Sequence, residues 1–154
     1  MKKLILLLIV LISTQLVFSQ DLIKNDDGKY YKDGKLFSGT HTDYFENGSL
    51  KSQRHFKNGL ENGKSIYYYD IKTKKEQREY TDGFKDGTWL TWNLNQQKTA
   101  EAHYQKDLKH GKWIIYDDSG NKRYEMNYDN GKKVGNWYMW DKNNKLVSEK
   151  NYDK

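Results

Sequence analysis

The chain has no cysteine and no proline. Without cysteine there is no disulfide to hold the fold, no thiol nucleophile and no thiolate ligand for a metal. The missing proline, beside abundant Lys, Asn, Ile and Tyr, fits an AT-rich coding sequence as well as any structural demand and carries no functional meaning. Aliphatic residues are sparse: hydrophobic residues make up 35% of the chain and aromatics alone 15%, so a thick two-layer core is hard to build. A thin sheet whose amphipathic Tyr and Trp cover a face is easier. Catalytic signatures are missing as well: there is no GxSxG elbow, P-loop, GxGxxG or HExxH. Lys and Arg number 27 against 21 Asp and Glu, a balance of +6 that is dispersed along the chain. That is not the dense basic stripe of a nucleic-acid binder, though it favours weak adhesion to anionic lipid or envelope polymer.

The first nineteen residues stand apart. Lys2 and Lys3 precede an uninterrupted apolar run, Leu4 to Ile12, and Val17 and Ser19 occupy the −3 and −1 positions of a signal-peptidase site. The run is too short to span a bilayer and reads as a cleavable export signal over 1–19. No cysteine follows it, which argues against a lipoprotein anchor. The mature chain, about 135 residues from Gln20, has the length of one domain and leaves the cytoplasm for the periplasm, outer envelope or medium.

Beyond it lies a tandem repeat. Gly39, Gly63, Gly87, Gly111 and Gly135 follow one another at a stride of 24 residues. Five residues after each comes a large aromatic: Tyr44, Tyr68, Trp92, Tyr116 and Trp140. Seventeen after each comes Phe56, Tyr80, Tyr104, Tyr128 or Tyr152. A fixed period takes precedence over every other reading.

The fourth unit shows what each one builds. Lys112 to Tyr116 is rich in strand formers, Asp117 to Asn121 is turn chemistry, and Lys122 to Tyr128 alternates with Tyr124, Met126 and Tyr128 on one side. A second turn containing Asn-Gly or Asp-Gly leads to the next unit. The sequence therefore predicts an all-β protein, an elongated twisted antiparallel meander of about ten strands over 39–154. Residues 20–38 read as an N-terminal capping hairpin, and the charged last strand as an exposed edge.

This pattern of Gly-x-Trp-x-x-Tyr/Trp, a turn glycine and a closing Glu-x-x-Tyr resembles the MORN repeat. It is similar in particular to the bacterial variant of the YwqK-type antitoxin components. The match rests on Gly87, Trp89, Trp92, Glu101 and Tyr104, and on Gly111, Trp113, Tyr116, Gly120, Glu125 and Tyr128. The fifth unit adds Gly135, Trp137, Trp140, Glu149 and Tyr152. The first two units depart, with His41 and Ser65 in place of Trp and Gln53 and Gln77 in place of Glu. The resemblance implies hairpin arrays that serve in protein contact, dimerisation or membrane-lipid association.

Individual residues offer little chemistry. His41, His55, His103 and His110 lack metal-ligand spacing, and Asp117, Asp118, Ser119 and Asn121 suit an Asx-type turn better than a calcium loop. Glu101, Glu125 and Glu149 recur among lysines, where cross-strand charge pairing accounts for them. No catalytic residue, metal or cofactor is expected. The first strand of each unit, however, is apolar on both sides. If Tyr44, Tyr68, Trp92, Tyr116 and Trp140 stack as the core, then Trp89, Trp113, Trp137, Ile115 and Met139 form a partly exposed stripe, the candidate binding surface. The reading is an exported, non-enzymatic repeat protein that binds a protein partner. Anionic membrane lipid or envelope glycan is one alternative, and neutralisation of a toxin partner another.

Overall fold

The computed structural model describes residues 22–153. The export signal expected over 1–19 lies outside them, as do Gln20, Asp21 and Lys154. The described chain is all strand and turn, with no helix. Five hairpins follow the glycine stride. They are β4 (Gly39–Tyr44) with β5 (Leu50–Lys57), β7 (Gly63–Tyr68) with β8 (Lys74–Thr81), and β10 (Gly87–Trp92) with β11 (Lys98–Gln105). The last two are β13 (Gly111–Tyr116) with β14 (Lys122–Asp129), and β15 (Lys132–Trp140) with β16 (Leu146–Asn151). Their order across the sheet is their order in the chain, every neighbour antiparallel. The ten-strand meander is thus realised, and three two-residue strands are added to the same sheet: β6 (Leu60–Glu61), β9 (Phe84–Lys85) and β12 (Leu108–Lys109). Residues 22–38 form a small sheet of their own from β1 (Ile23–Lys24), β2 (Tyr30–Lys32) and β3 (Lys35–Leu36). It is tied to the first unit where the Tyr30 N–H donates to the Gly59 carbonyl at 2.7 Å.

Two turns alternate, and each explains part of the repeat. The first joins the strands of a hairpin through three residues, the last with positive φ: Gly48, Lys72, Gln96, Gly120 and Asn144. This is a type I turn closed by a left-handed residue, a common three-residue hairpin loop. Where Asn or Asp stands just before the loop, its side chain caps the turn; Asp117 Oδ1 accepts from the N–H groups of Ser119 and Asn121. The Asp117–Asn121 cluster therefore satisfies its own backbone. The second turn has two residues, both with positive φ, as in Asn58–Gly59, Asp82–Gly83 and Asn130–Gly131. At that position the third unit instead places Lys106–Asp107 in left-handed geometry. These two-residue turns stack: the N–H groups of Gly83, Asp107 and Gly131 donate to the carbonyls of Glu61, Lys85 and Lys109 in the unit before, at 2.8–2.9 Å.

The stride glycines also have positive φ, from 60° at Gly135 to 133° at Gly39, a conformation that side chains resist. Each of the first four is registered opposite the closing aromatic of its own hairpin, for instance Gly111 opposite Tyr128. A side chain added there would meet the preceding strand instead, His55 at Gly63, Glu79 at Gly87 and His103 at Gly111.

The left-handed corner gives a direct test. Lys72 adopts φ 67° and its side chain is exposed. Left-handed geometry costs a non-glycine residue roughly 1–2 kcal/mol, part of which is returned through the greater unfolded-state freedom of glycine. Lys72→Gly should therefore stabilise the protein by about 0.5–1 kcal/mol in urea unfolding, and Gly120→Lys should destabilise it by a similar amount.

Candidate functional site: an aromatic ladder under a row of lysines

Directly registered residues share a face, which sorts the side chains into two surfaces. One surface carries Trp89 opposite Ala102, Thr91 opposite Ala100, Ile115 opposite Ala100 and Tyr124, and Met139 opposite Tyr124 and Ser148. Trp89, Trp113 and Trp137 interleave there with the closing tyrosines. The rings run Tyr80, Trp89, Tyr104, Trp113, Tyr128, Trp137, Tyr152 without a break, at centroid separations of 4.7–5.6 Å and mutual tilts of 52–64°. Tilted, edge-directed contact suits the ring quadrupoles and adds about 0.5–1.5 kcal/mol per pair beyond burial. Each indole N–H also crosses a unit boundary. Trp89 Nε1 donates to the Glu79 carbonyl at 3.2 Å, Trp113 Nε1 to that of His103 at 2.9 Å, and Trp137 Nε1 to that of Asn127 at 3.0 Å.

This differs from the arrangement expected from sequence. Tyr44, Tyr68, Trp92, Tyr116 and Trp140 make no ring contacts with one another among the described residues, and Tyr44 is 63% exposed. Single lysines cover two of them, Lys74 over Trp92 at 5.0 Å and Lys122 over Trp140 at 5.3 Å. The close ring packing belongs to the other set, where each of the last three units places a Trp and a Tyr in contact on one face. Trp89, Trp113 and Trp137 are half-buried inside the ladder. Ile115 is half-buried beside it, whereas Met139 and Tyr124 are 36% and 43% exposed. Interior volume is scarce: Phe56 and Tyr128 are the buried hydrophobic residues among those described.

A further column completes the face. Lys85 lies 5.0 Å from the Trp89 centroid and 5.1 Å from that of Tyr104. Lys109 lies 4.3 and 4.8 Å from Trp113 and Tyr128, and Lys133 4.5 and 5.0 Å from Trp137 and Tyr152. Sequence reasoning missed these lysines, although they keep the same stride of 24 residues. Glu61 takes their place at the end of the first unit, between Arg54 and Arg78. Burial pushes its carboxyl above the ordinary value, against the pull of both guanidinium groups. Here arginine does the work of the missing indoles. Arg54 lies over Tyr30 and Phe56, Arg78 over Tyr67 and Trp89, and Ser65 is fully buried beneath. Burial beside this cluster raises the Tyr67 hydroxyl to about 12.

The opposite surface holds the glutamate column as ion pairs. Lys98 Nζ meets Glu101 at 2.8 Å, and Lys122 and Lys112 meet Glu125 at 2.5 and 2.8 Å. Glu149 instead accepts from Asn136 Nδ2 at 2.9 Å. The hydrogen bond from Lys98 holds Glu101 below the usual carboxylate value. Partial burial opposes ionisation of Glu125, and hydrogen bonds from Lys112 and Lys122 outweigh it. His55 Nδ1 pairs with the Lys64 carbonyl and His103 with Glu101, so neither points to a shared ion. No cluster of metal-ligating side chains occurs among the described residues.

Two outcomes follow from these contacts. Trp113→Ala removes a half-buried indole that bridges two units and should cost about 3 kcal/mol in equilibrium unfolding, and Trp113→Phe should lose about 1 kcal/mol with the N–H bond. A carboxylate depressed in the folded state stabilises above its ordinary value and ceases to do so as pH falls through the folded one. The urea midpoint should therefore fall as pH drops from about 5 to about 3, and Glu125→Gln should flatten part of that fall.

A family model described as a MORN repeat variant matches residues 37–58, 109–130 and 133–154. These stretches cover the first hairpin and the last two. Repeats of this type are non-enzymatic and generally serve in protein or membrane-lipid interaction. No curated protein matches the chain.

Proposed function

We propose that this is an exported, non-enzymatic repeat protein that binds a protein partner through the apolar row beside the ladder, Ile115, Tyr124 and Met139. The observation that carries the reading is the exposure of Tyr124 and Met139, which are registered opposite each other on the face that the ladder stiffens. Trp89, Trp113 and Trp137 supply the rigid floor. The exposed apolar side chains next to them supply the contact, as in interfaces built around aromatic and methionine anchors. Export rests on the Lys2-Lys3 and Leu4–Ile12 leader.

The test is capture of a stoichiometric partner from the cell envelope by the mature chain and by a Tyr124→Ser, Met139→Ser variant. The reading expects one partner with the natural chain and its loss with the variant, while the far-UV spectrum and unfolding midpoint stay close to those of the natural chain. No stoichiometric partner, or equal capture by the variant, would contradict it.

A further inference from the structure

The two ends of the ladder face differ in charge. In the first two units its acids are matched: Asp43 pairs with Arg54 and His41, Glu76 with Arg78, and Glu61 lies between the two arginines. From Tyr80 to Tyr152 the strand residues registered on this face include Lys85, Lys109, Lys133 and Lys150, and no Asp or Glu. Among the described residues no carboxylate lies within 4.0 Å of any of those four ammonium groups. Cation–π contact holds each over the rings; Lys85 and Lys109 are half-exposed there, Lys133 and Lys150 exposed.

Resting on the protein-binding reading above, we infer that units three to five receive an acidic amphipathic α-helix of the partner, with one carboxylate per heptad set against Lys85, Lys109 and Lys133. The pitch of the row carries the argument. Successive lysines are one hairpin apart, two strand spacings or roughly 9.6 Å. A helix repeats its face every seven residues, about 10.5 Å. An extended peptide presents one face every two residues, about 6.7 Å, or every four, about 13 Å, and cannot keep step. The apolar row of Ile115, Tyr124 and Met139 then meets the apolar stripe of the same helix. An acidic glycan of similar pitch is disfavoured, because each indole face is occupied by tilted tyrosines and a lysine and none is open for a sugar ring.

The probe is a synthetic helix of about 24 residues carrying a leucine stripe and one flanking glutamate per heptad. It is compared with a peptide of the same composition in scrambled order, using tryptophan emission and calorimetry on the mature chain. The helix should bind saturably and the scrambled peptide should not. The triple variant Lys85→Gln, Lys109→Gln, Lys133→Gln should weaken binding by at least about tenfold, and the corresponding Lys→Arg triple should retain it. Equal binding of both peptides, no binding of the helix, or an unchanged affinity in the Gln variant would overturn the inference. So would tighter binding to phosphatidylglycerol vesicles or polygalacturonate. If the Gln variant still captures the envelope partner, the acidic-helix inference fails and the protein-binding reading stands. If the natural chain captures nothing, that reading fails first.

Discussion

One indole wedged between two phenols is the contact on which the C-terminal half of this molecule depends. At three of the four boundaries the long strands of successive hairpins share only two backbone pairs, as β11 and β13 do at Ala100–Ile115 and Glu101–Ile114; β14 and β15 register five, and each hairpin five or six internally. A single-layer sheet with so thin a seam needs side chains to couple its units. Trp113 does so twice, by packing its ring against Tyr104 of the unit before and by donating its N–H to the His103 carbonyl. The stride glycine serves the seam differently: its positive φ turns the chain back into the sheet, and a side chain at Gly111 would meet His103 of the unit before.

The same constraint accounts for the asymmetry between the two ends. His41 and Ser65 cannot bridge units as an indole does, and Arg54 and Arg78 replace it with stacked guanidinium groups. Guanidinium groups under low exposure call for acids, which Asp43, Glu61 and Glu76 supply. The first two units therefore close on themselves electrostatically. The last three, held by neutral rings, leave their lysines uncompensated, and the available binding surface follows from how the units are stitched.

Much of the architecture was legible in the sequence. The 24-residue stride, the Asn-Gly and Asp-Gly turns and the alternation of Lys122 to Tyr128 lead to the meander because each reflects a local demand, positive φ or period two. Which face packs was not legible. Leu90 and Trp92 alternate with Trp89 and Thr91, so both faces of that strand look apolar. The outcome turns on where Tyr80 and Tyr104 fall once the register is set. The lysine row was visible as a column at Lys85, Lys109 and Lys133, but its meaning depends on the start of β15 and on the two-residue strands β9 and β12, which fold those lysines back over the rings. Those strands carry too few residues to show a period.

The coupling of units through the ladder is measured most directly by a double-mutant cycle across one boundary, with Tyr104→Leu and Trp113→Leu made singly and together and unfolding free energies compared. An interleaved ladder predicts a coupling of about 1 kcal/mol between the two rings. Strict additivity, within about 0.3 kcal/mol, would show that the units are held by their backbone seam alone and would contradict the account.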